Sequence, residues 1–216
     1  MFKIFHFIAS IPHKLFMGFL LLYLMIAVPL RALIWQIRLL GKPRAPRNPA
    51  DPYFDVICFS HVPWSHIWQR NHHTMTRLAR NRKVVYFQTT SIAYIHWFVR
   101  HWPHAYHEYS SDYPGVKLLY PLLFPGQSTL PLVAGINRWL LKTQVRWLEH
   151  TMGLRNTVLW FYYPAAANIL DGFDPAAVVY DIQDEYTAFD WSPVDIAKRE
   201  QYLLDRTDVI FAGTHA

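Results

Sequence analysis

The sequence predicts an α/β protein in which a doubly wound, mostly parallel β-sheet follows an amino-terminal hydrophobic helix. From residue 55 onward, short apolar runs alternate with helical patterns, as in proteins that wind helices over both faces of a sheet. Several of these runs are apolar at successive positions, which is typical of strands covered on both faces. A separate and longer apolar run at residues 15–30 predicts the helix.

The amino-terminal run LFMGFLLLYLMIAVPL is followed, after Arg31, by four further apolar residues at 32–35. A membrane-spanning helix needs roughly 17–25 such residues, so the run is at the lower limit of length. More basic residues follow the run than precede it, which predicts an anchor in the inner membrane with the globular domain on the cytoplasmic side. A cleaved signal peptide and a surface-lying helix or hairpin are the alternatives.

Residues 41–53, GKPRAPRNPADPY, contain four prolines and three basic residues, which predicts a semi-rigid extended linker. We therefore divide the chain into a membrane anchor at 1–40, a linker at 41–53 and a globular domain at 54–216.

Within the domain, apolar runs and turn signals predict six strands and the helices between them. Helical patterns cover residues 64–80, 136–152 and 195–204, and a further helix is expected to open at Pro164. The predicted strands are, in chain order, residues 55–59, 84–88, 116–120, 157–162, 177–181 and 208–212.

Composition and motifs argue against several classes of function. The formal charge is +6, but no basic stripe alternates with aromatic residues, so nucleic acid is not an expected partner. Cys58 is the only cysteine, which rules out a disulfide framework and a thiolate metal site. No glycine-rich phosphate-binding motif is present, which disfavours dinucleotide-binding and P-loop enzymes. A cluster of histidines could favour a metal, but Pro103 interrupts the helix that would align them; the cluster comprises His96, His101, His104 and His107.

Polar and aromatic residues are grouped after three of the predicted strands. In an open parallel sheet, ligands bind beyond the carboxyl ends of the strands, where such groups converge. Each residue also has a simpler interpretation: His61 could cap a turn, the tryptophans could be core residues, and Arg70 could pair with a nearby acid. The candidates are Ser60, His61, Trp64, Trp68, Gln69 and Arg70 after the first strand, Tyr163 after the fourth, and Asp181, Asp184 and Glu185 after the fifth.

Two of these groups resemble a known family. The string S-H-x-x-W-x-x-x-W-Q-R-x-x-H at 60–73 directly follows the first strand, and V-Y-D-x-x-D-E stands at 179–185. Together with the strand DVIFAGT, they resemble the amino-terminal half of bacterial glycosyltransferases of the GT-B fold, related to the family 4 group that assembles cell-surface polysaccharides. The resemblance covers about residues 55–214.

The resemblance implies one of two Rossmann-like domains that face each other across a cleft. The amino-terminal domain of such enzymes mainly binds the acceptor, and the carboxy-terminal one holds the nucleotide-sugar donor. This chain is therefore expected to be the acceptor half of a transferase, inactive by itself. The nucleotide sugar would bind a separate donor domain, and no cofactor is expected on this chain. The expected partners are membrane lipid, a glycan or lipid-linked acceptor, and a donor-domain chain.

In that reaction an acceptor hydroxyl must be positioned and, in inverting enzymes, deprotonated. Asp181, Asp184, Glu185 or His61 could perform either step, and Arg70 could bind an anionic part of a substrate. Retaining enzymes need no base, so these residues would then only position the acceptor. The alternatives are a non-catalytic, membrane-tethered binding or assembly module that keeps the half-fold and, more remotely, a histidine-rich metal-binding protein.

Overall fold

The computed structural model describes most of the globular domain and a small part of the amino-terminal segment. The described residues are 18, 22, 26, 30, 32–42, 47–48, 50–65, 67–88, 109–110 (backbone only), 113–119, 121, 123, 131–190 and 192–213.

The described residues contain seven strands, joined in a single sheet. The strands are β1 (Val56–Ser60), β2 (Val84–Gln88), β3 (Tyr109–Ser110), β4 (Val116–Leu119), β5 (Val158–Phe161), β6 (Ala177–Ile182) and β7 (Val209–Ala212). Their order is β3-β4-β2-β1-β5-β6-β7, and β3 is the one strand of the seven that pairs antiparallel. The other six are all parallel, so the prediction of a mostly parallel α/β sheet is confirmed.

The strand order identifies where the chain changes its direction of winding. From β1 the chain moves outward through β2 to β4, then returns to the other side of β1 and moves outward through β5, β6 and β7. The six parallel strands therefore follow the order three-two-one-four-five-six that is typical of Rossmann-like sheets. The crossovers diverge between β1 and β5, which opens a crevice beyond the carboxyl ends of these two strands.

Helices cover both faces of the sheet. The helices are α1 (Arg70–Leu78), α2 (Pro131–Met152) and α3 (Ile196–Leu204), with two short 3₁₀ helices at Pro164–Leu170 and Tyr186–Ala188. In β1, Cys58 packs in the apolar cluster beneath α1, whereas the next residue, Phe59, packs in the cluster beneath α2. This alternation explains why the strands are apolar at successive positions.

The predicted helix at residues 64–80 begins six residues too early. The first turn of α1 is at Arg70, and the N–H of Gln69 donates to His72 Nδ1 (3.0 Å), which fixes the helix start. The chain before it is loop, and the apolar residue Ile67, within the predicted helix, is 76% exposed. In contrast, α2 begins five residues earlier than predicted, with a proline in its first turn.

Part of the predicted anchor is described, and it lies against the domain. Residues 32–39 are helical, as are positions 18, 22, 26 and 30, while the rest of 1–31 lies outside the described residues. The Trp35 ring stacks on Trp147 of α2 (5.9 Å), and Gln36 Nε2 donates to Thr143 Oγ1 (2.7 Å). The predicted anchor helix is therefore not shown, and in the part of the chain that can be described no helix combines the length and apolar character needed to cross a bilayer.

The predicted linker also contacts the domain where it is described. Arg47 pairs with Asp174 (2.6 Å), and the N–H of Asn48 donates to Asn156 Oδ1 (2.6 Å). Asn156 precedes β5 and Asp174 precedes β6, so these contacts hold residues 47 and 48 at the amino edge of the sheet.

Candidate functional site

Three aromatic side chains meet at the point where the winding direction changes. His61 directly follows β1, and Tyr163 follows β5 by two residues. Their ring centroids are 5.5 Å apart. Tyr186, from the 3₁₀ helix after β6, lies 5.3 Å from His61 and 5.0 Å from Tyr163. We call His61, Tyr163, Asp184 and Tyr186 the rim site.

An acidic side chain completes the rim site. His61 Nε2 lies 3.9 Å from Asp184 Oδ2, within electrostatic range but beyond an ordinary hydrogen bond. Burial lowers the pKa of His61 below its usual 6.5, while the charge of Asp184 acts in the opposite direction. Burial is the larger effect, so the imidazole is neutral at neutral pH and can accept a proton.

The hydrogen bonds of Tyr186 indicate which nitrogen of His61 is basic. The Tyr186 hydroxyl donates its hydrogen to the carbonyl of Tyr162, and its oxygen lies 3.4 Å from His61 Nδ1. Since that hydrogen is already used, donation from Nδ1–H to the tyrosine oxygen fits this contact. In that tautomer Nε2, 3.9 Å from Asp184, carries the lone pair. A hydroxyl arriving here would find two acceptors side by side, His61 Nε2 and Asp184 Oδ2.

Arg70 and Asp181 form a separate ion pair at the carboxyl end of β6. Arg70 Nη2 lies 2.7 Å from Asp181 Oδ1 and donates to the carbonyl of Ile182 (2.5 Å). A Cβ atom at Gly213 would stand 2.2 Å from Arg70 Nη1, so glycine after β7 allows the guanidinium to sit there. The side chain of Asp181 is 4% exposed and that of Arg70 37%. The pair thus has one solvent-accessible member, the arginine.

The environment of Asp181 makes it a support for Arg70 rather than a free carboxylate. Burial raises its pKa above the usual value, and the charge of Arg70 and the polar hydrogens of Tyr162 and Trp160 oppose that shift. The Tyr162 hydroxyl and Trp160 Nε1 are close enough to favour the charged form, but neither makes a hydrogen bond of good geometry. A ligand at the rim would meet Arg70 before Asp181.

The other predicted residues near β1 build the entrance to α1. Ser60 Oγ accepts from the N–H of Val62 (3.1 Å) and from Asn71 Nδ2 (3.0 Å), which closes the turn after β1. Gln69 begins α1 as described above. Trp64 is 9% exposed, and its ring packs edge-on at 6.0 Å against that of Trp68, although the two do not share a helix.

The last two predicted residues differ in exposure and contacts. Trp68 is 37% exposed and its ring lies 4.8 Å from that of Tyr113, with no contact to the rim site among the described residues. Glu185 is exposed and accepts hydrogen bonds from the N–H and hydroxyl of Thr187, which lower its pKa. The structure therefore brings His61, Tyr163 and Asp184 together, while Glu185 caps the short helix that carries Tyr186.

Sequence reasoning noted Tyr186 but gave it no role, and it missed Gly213. Tyr186 stands within the acidic loop, and its place beside two acids after a strand was the available signal. Gly213 follows β7 directly, but its contact with Arg70 depends on the pairing of β7 with β6 and has no local signature.

The described residues contain no group of three histidine, cysteine or acidic side chains that could hold a metal ion. The histidines at 96, 101, 104 and 107 lie outside the described residues. To a ligand the rim site offers a neutral imidazole and a carboxylate, which suit hydroxyl groups, while the buried rings of Tyr163 and Tyr186 back the imidazole.

No family model, curated protein sequence or solved structure matches this chain.

Proposed function

We propose that this chain is the acceptor-binding half of a membrane-associated glycosyltransferase. The observation that carries the proposal is the rim site. His61 and Tyr163 stand about a hundred residues apart in the sequence, yet their rings are 5.5 Å apart at the crevice between β1 and β5. In Rossmann-like sheets ligands bind at this position.

The chemistry of the rim site suits the hydroxyl of a sugar acceptor. The lone pair on His61 Nε2 accepts a hydrogen bond from the hydroxyl, and Asp184 accepts from a neighbouring hydroxyl of the same ring. The rings of Tyr163 and Tyr186 are 7% and 0% exposed, so they pack behind the imidazole and set its position rather than contact the sugar. In an inverting reaction the acceptor oxygen attacks the anomeric carbon of the donor, whose bond to the nucleoside diphosphate breaks. The diphosphate leaves with the electron pair, His61 takes the proton of the hydroxyl, and Asp184 stabilises the resulting imidazolium. In a retaining reaction the same residues hold the acceptor in place.

Arg70 serves an anionic group in this proposal. Its guanidinium is held by Asp181 and by the Ile182 carbonyl, which leaves it partly exposed at the edge of the rim. A diphosphate or a carboxylate of a substrate would add a charge-assisted hydrogen bond there.

The exposed surface of β7 supports a second domain as the donor-binding partner. Val209, Ile210 and Phe211 are each more than two-fifths exposed, although they belong to the sheet. A strand in a doubly wound sheet is normally covered on both faces. The same observation favours the second candidate, a non-catalytic module that binds a protein through β7 and transfers no sugar.

Glycan binding by the full chain tests the proposal. Saturation-transfer NMR against free oligosaccharides of bacterial surface glycans should detect at least one ligand. His61→Ala and Asp184→Asn should each weaken that binding by roughly tenfold or more, since each removes a hydrogen bond to a polar ligand group. Asp190→Asn is the matched control, because Asp190 is an exposed acid of the same loop.

The two candidates give different results in this experiment. No glycan binding, together with capture of a protein partner that Phe211→Glu abolishes, would replace the transferase with the assembly module. Glycan binding unaffected by His61→Ala and Asp184→Asn would remove the rim site from the proposal.

A further inference from the structure

The amino-terminal segment is apolar on the side that faces the domain and also on the side that faces away from it. Within residues 32–39, Trp35, Gln36 and Arg38 contact α2, and Ala32 and Trp35 are 1% and 5% exposed. The opposite side carries a second apolar stripe. Its exposed members, between 41% and 73% exposed, are Leu22, Ile26, Leu30, Leu33, Ile34, Ile37 and Leu40.

This exposed stripe has helical spacing and exceeds an ordinary surface patch. Apart from Ile34, its members follow one another at intervals of three or four residues, which places them along one side of a helix. Seven large side chains, each about half exposed, amount to roughly 500 Å² of apolar surface, a size that marks an interaction site.

Helix α2 extends the exposed apolar surface. Thr143 and Trp147 receive the amino-terminal segment, and Leu132 and Trp139 stand on the same line of α2 at helical spacing. Leu132 is 76% exposed and Trp139 is 39% exposed. The segment and the first half of α2 therefore present apolar side chains on adjoining surfaces.

The length of α2 brings this surface to the rim. With 22 residues α2 is about 33 Å long, whereas a five-residue strand is about 17 Å long. Lys83, which precedes β2, donates to the carbonyl of Met152 (2.7 Å), so α2 ends at the amino edge of the sheet. Its first turns therefore project beyond the carboxyl edge, on the side where the rim site opens.

The charge of the region identifies the kind of partner. Residues 1–50 contain seven lysines and arginines and no acidic residue, and the first 18 residues of α2 contain three more, of which Arg138 pairs with Asp171 as Arg47 does with Asp174. The other basic residues leave the region with a net positive charge. A second copy of the chain would bring the same positive charge to the interface and be repelled. The surface of a bilayer rich in anionic phospholipid offers both apolar depth and negative charge.

We propose that the exposed stripe and the first turns of α2 form one docking face for an anionic phospholipid bilayer, which fixes the domain with its rim next to the lipid. Trp35 and Gln36 couple the segment to α2, so the domain is oriented on the membrane and not loosely tethered. The biological role of the docking face rests on the proposed function, since a lipid-linked acceptor would then lie close to the rim site. The lipid contact itself needs no sugar and can be tested separately.

The test places an environment-sensitive fluorophore on α2 in the full chain. Leu132→Cys and Ile67→Cys are a matched pair, because both parent side chains are 76% exposed but Ile67 lies on the α1 side of the sheet. Cys58 is buried and its thiol pKa is raised by burial, so the label attaches selectively to the new cysteine. The probe membrane is phosphatidylcholine vesicles with about one-third phosphatidylglycerol.

On these vesicles the label at position 132 should brighten several-fold and shift to the blue, while the label at 67 stays unchanged. Phosphatidylcholine alone should give a smaller change at 132. A label at 132 that remains as water-exposed as the one at 67 would overturn the proposal, as would an equal response to both vesicle types. Disulfide crosslinking between the 132 positions of two lipid-free chains would assign the face to a second copy instead. Loss of glycan binding with the lipid signal intact would count against the proposed function alone.

Discussion

For the Arg70–Asp181 pair we predict that removing the arginine destabilises the fold more than neutralising the aspartate. Replacing Arg70 by methionine keeps most of the side-chain volume but leaves the carboxylate of Asp181, 4% exposed, without its cation. Removing one partner of a fully buried pair costs about 3–5 kcal/mol. Arg70 is 37% exposed, so solvent already screens part of the interaction. We therefore expect Arg70→Met to lower the free energy of unfolding by about 2 kcal/mol.

Asp181→Asn should cost less, about 1 kcal/mol, since the amide is neutral and Arg70 keeps both solvent and the Ile182 carbonyl. The double variant should recover part of the loss seen in Arg70→Met, because no charge is then buried alone. Urea unfolding of the full chain, followed by circular dichroism, measures all three. Arg77→Met is the control, an exposed arginine of the same helix.

The pH dependence of Arg70→Met gives an independent check. Burial raises the folded-state pKa of Asp181, and removing Arg70 removes the main force opposing that shift. An acid whose folded pKa is raised destabilises the fold when it is charged, and the loss shrinks as pH falls through that pKa. The difference in unfolding free energy between Arg70→Met and the native chain should therefore narrow as pH falls toward the raised folded-state pKa of Asp181. The reasoning is refuted if Arg70→Met is no worse than Arg77→Met, or if Asp181→Asn is the more damaging of the pair.

Three further outcomes are expected from the same unfolding measurements. Gly115→Ala should lower the free energy of unfolding by about 2 kcal/mol or more, because Gly115 has φ +96° and a Cβ there would lie 2.6 Å from the carbonyl oxygen of Ala79. Gly135→Ala, in open space on α2, should instead raise it by about 0.5–1 kcal/mol. Asp55→Asn should lower the free energy of unfolding by about 2 kcal/mol, because two backbone N–H groups and a tyrosine hydroxyl donate to this buried carboxylate and an amide NH₂ would face some of them. A decrease of less than about 0.5 kcal/mol would contradict this. Burial lowers the folded-state pKa of His61, so the neutral imidazole contributes stability that is present above about pH 6.5 and is lost as pH falls through the folded-state pKa. His61→Gln should flatten the dependence of stability on pH in that window, and an unchanged slope would contradict the assignment.

The positions of the strands could be predicted from the sequence almost residue by residue. The six parallel strands fall within one residue of the predicted ends at nearly every terminus, since strands buried on both faces appear as compact apolar runs between turn signals. The helix before Arg70 could not be predicted in the same way. Trp64 and Trp68 have helical spacing, but their rings pack against each other and the neighbouring aromatic residues from a loop, and the capping contact of Gln69 starts the helix later.

The candidate site was only partly predictable, for a geometric reason. His61, Tyr163 and Asp184 could be proposed because each follows a strand, and the carboxyl ends of parallel strands share one edge. Asp181 was proposed on the same ground, but the alternation of side chains along β6 directs it to the α1 face, where it is buried against Arg70. Asp181 and Asp184 both lie near the carboxyl end of β6, but the direction of its side chain takes Asp181 away from the rim site.

By itself, the sequence determined the α/β class, the strand positions, the rim at the carboxyl edge and the positive charge of the first fifty residues. These depend on local pattern and composition, which each short stretch of chain expresses alone. The tertiary structure decided which acid pairs with Arg70, that Tyr186 joins His61, and that the amino-terminal segment packs on α2. Such contacts join residues separated by roughly a hundred positions, so their partners are set by strand order and side-chain direction, which no local stretch contains.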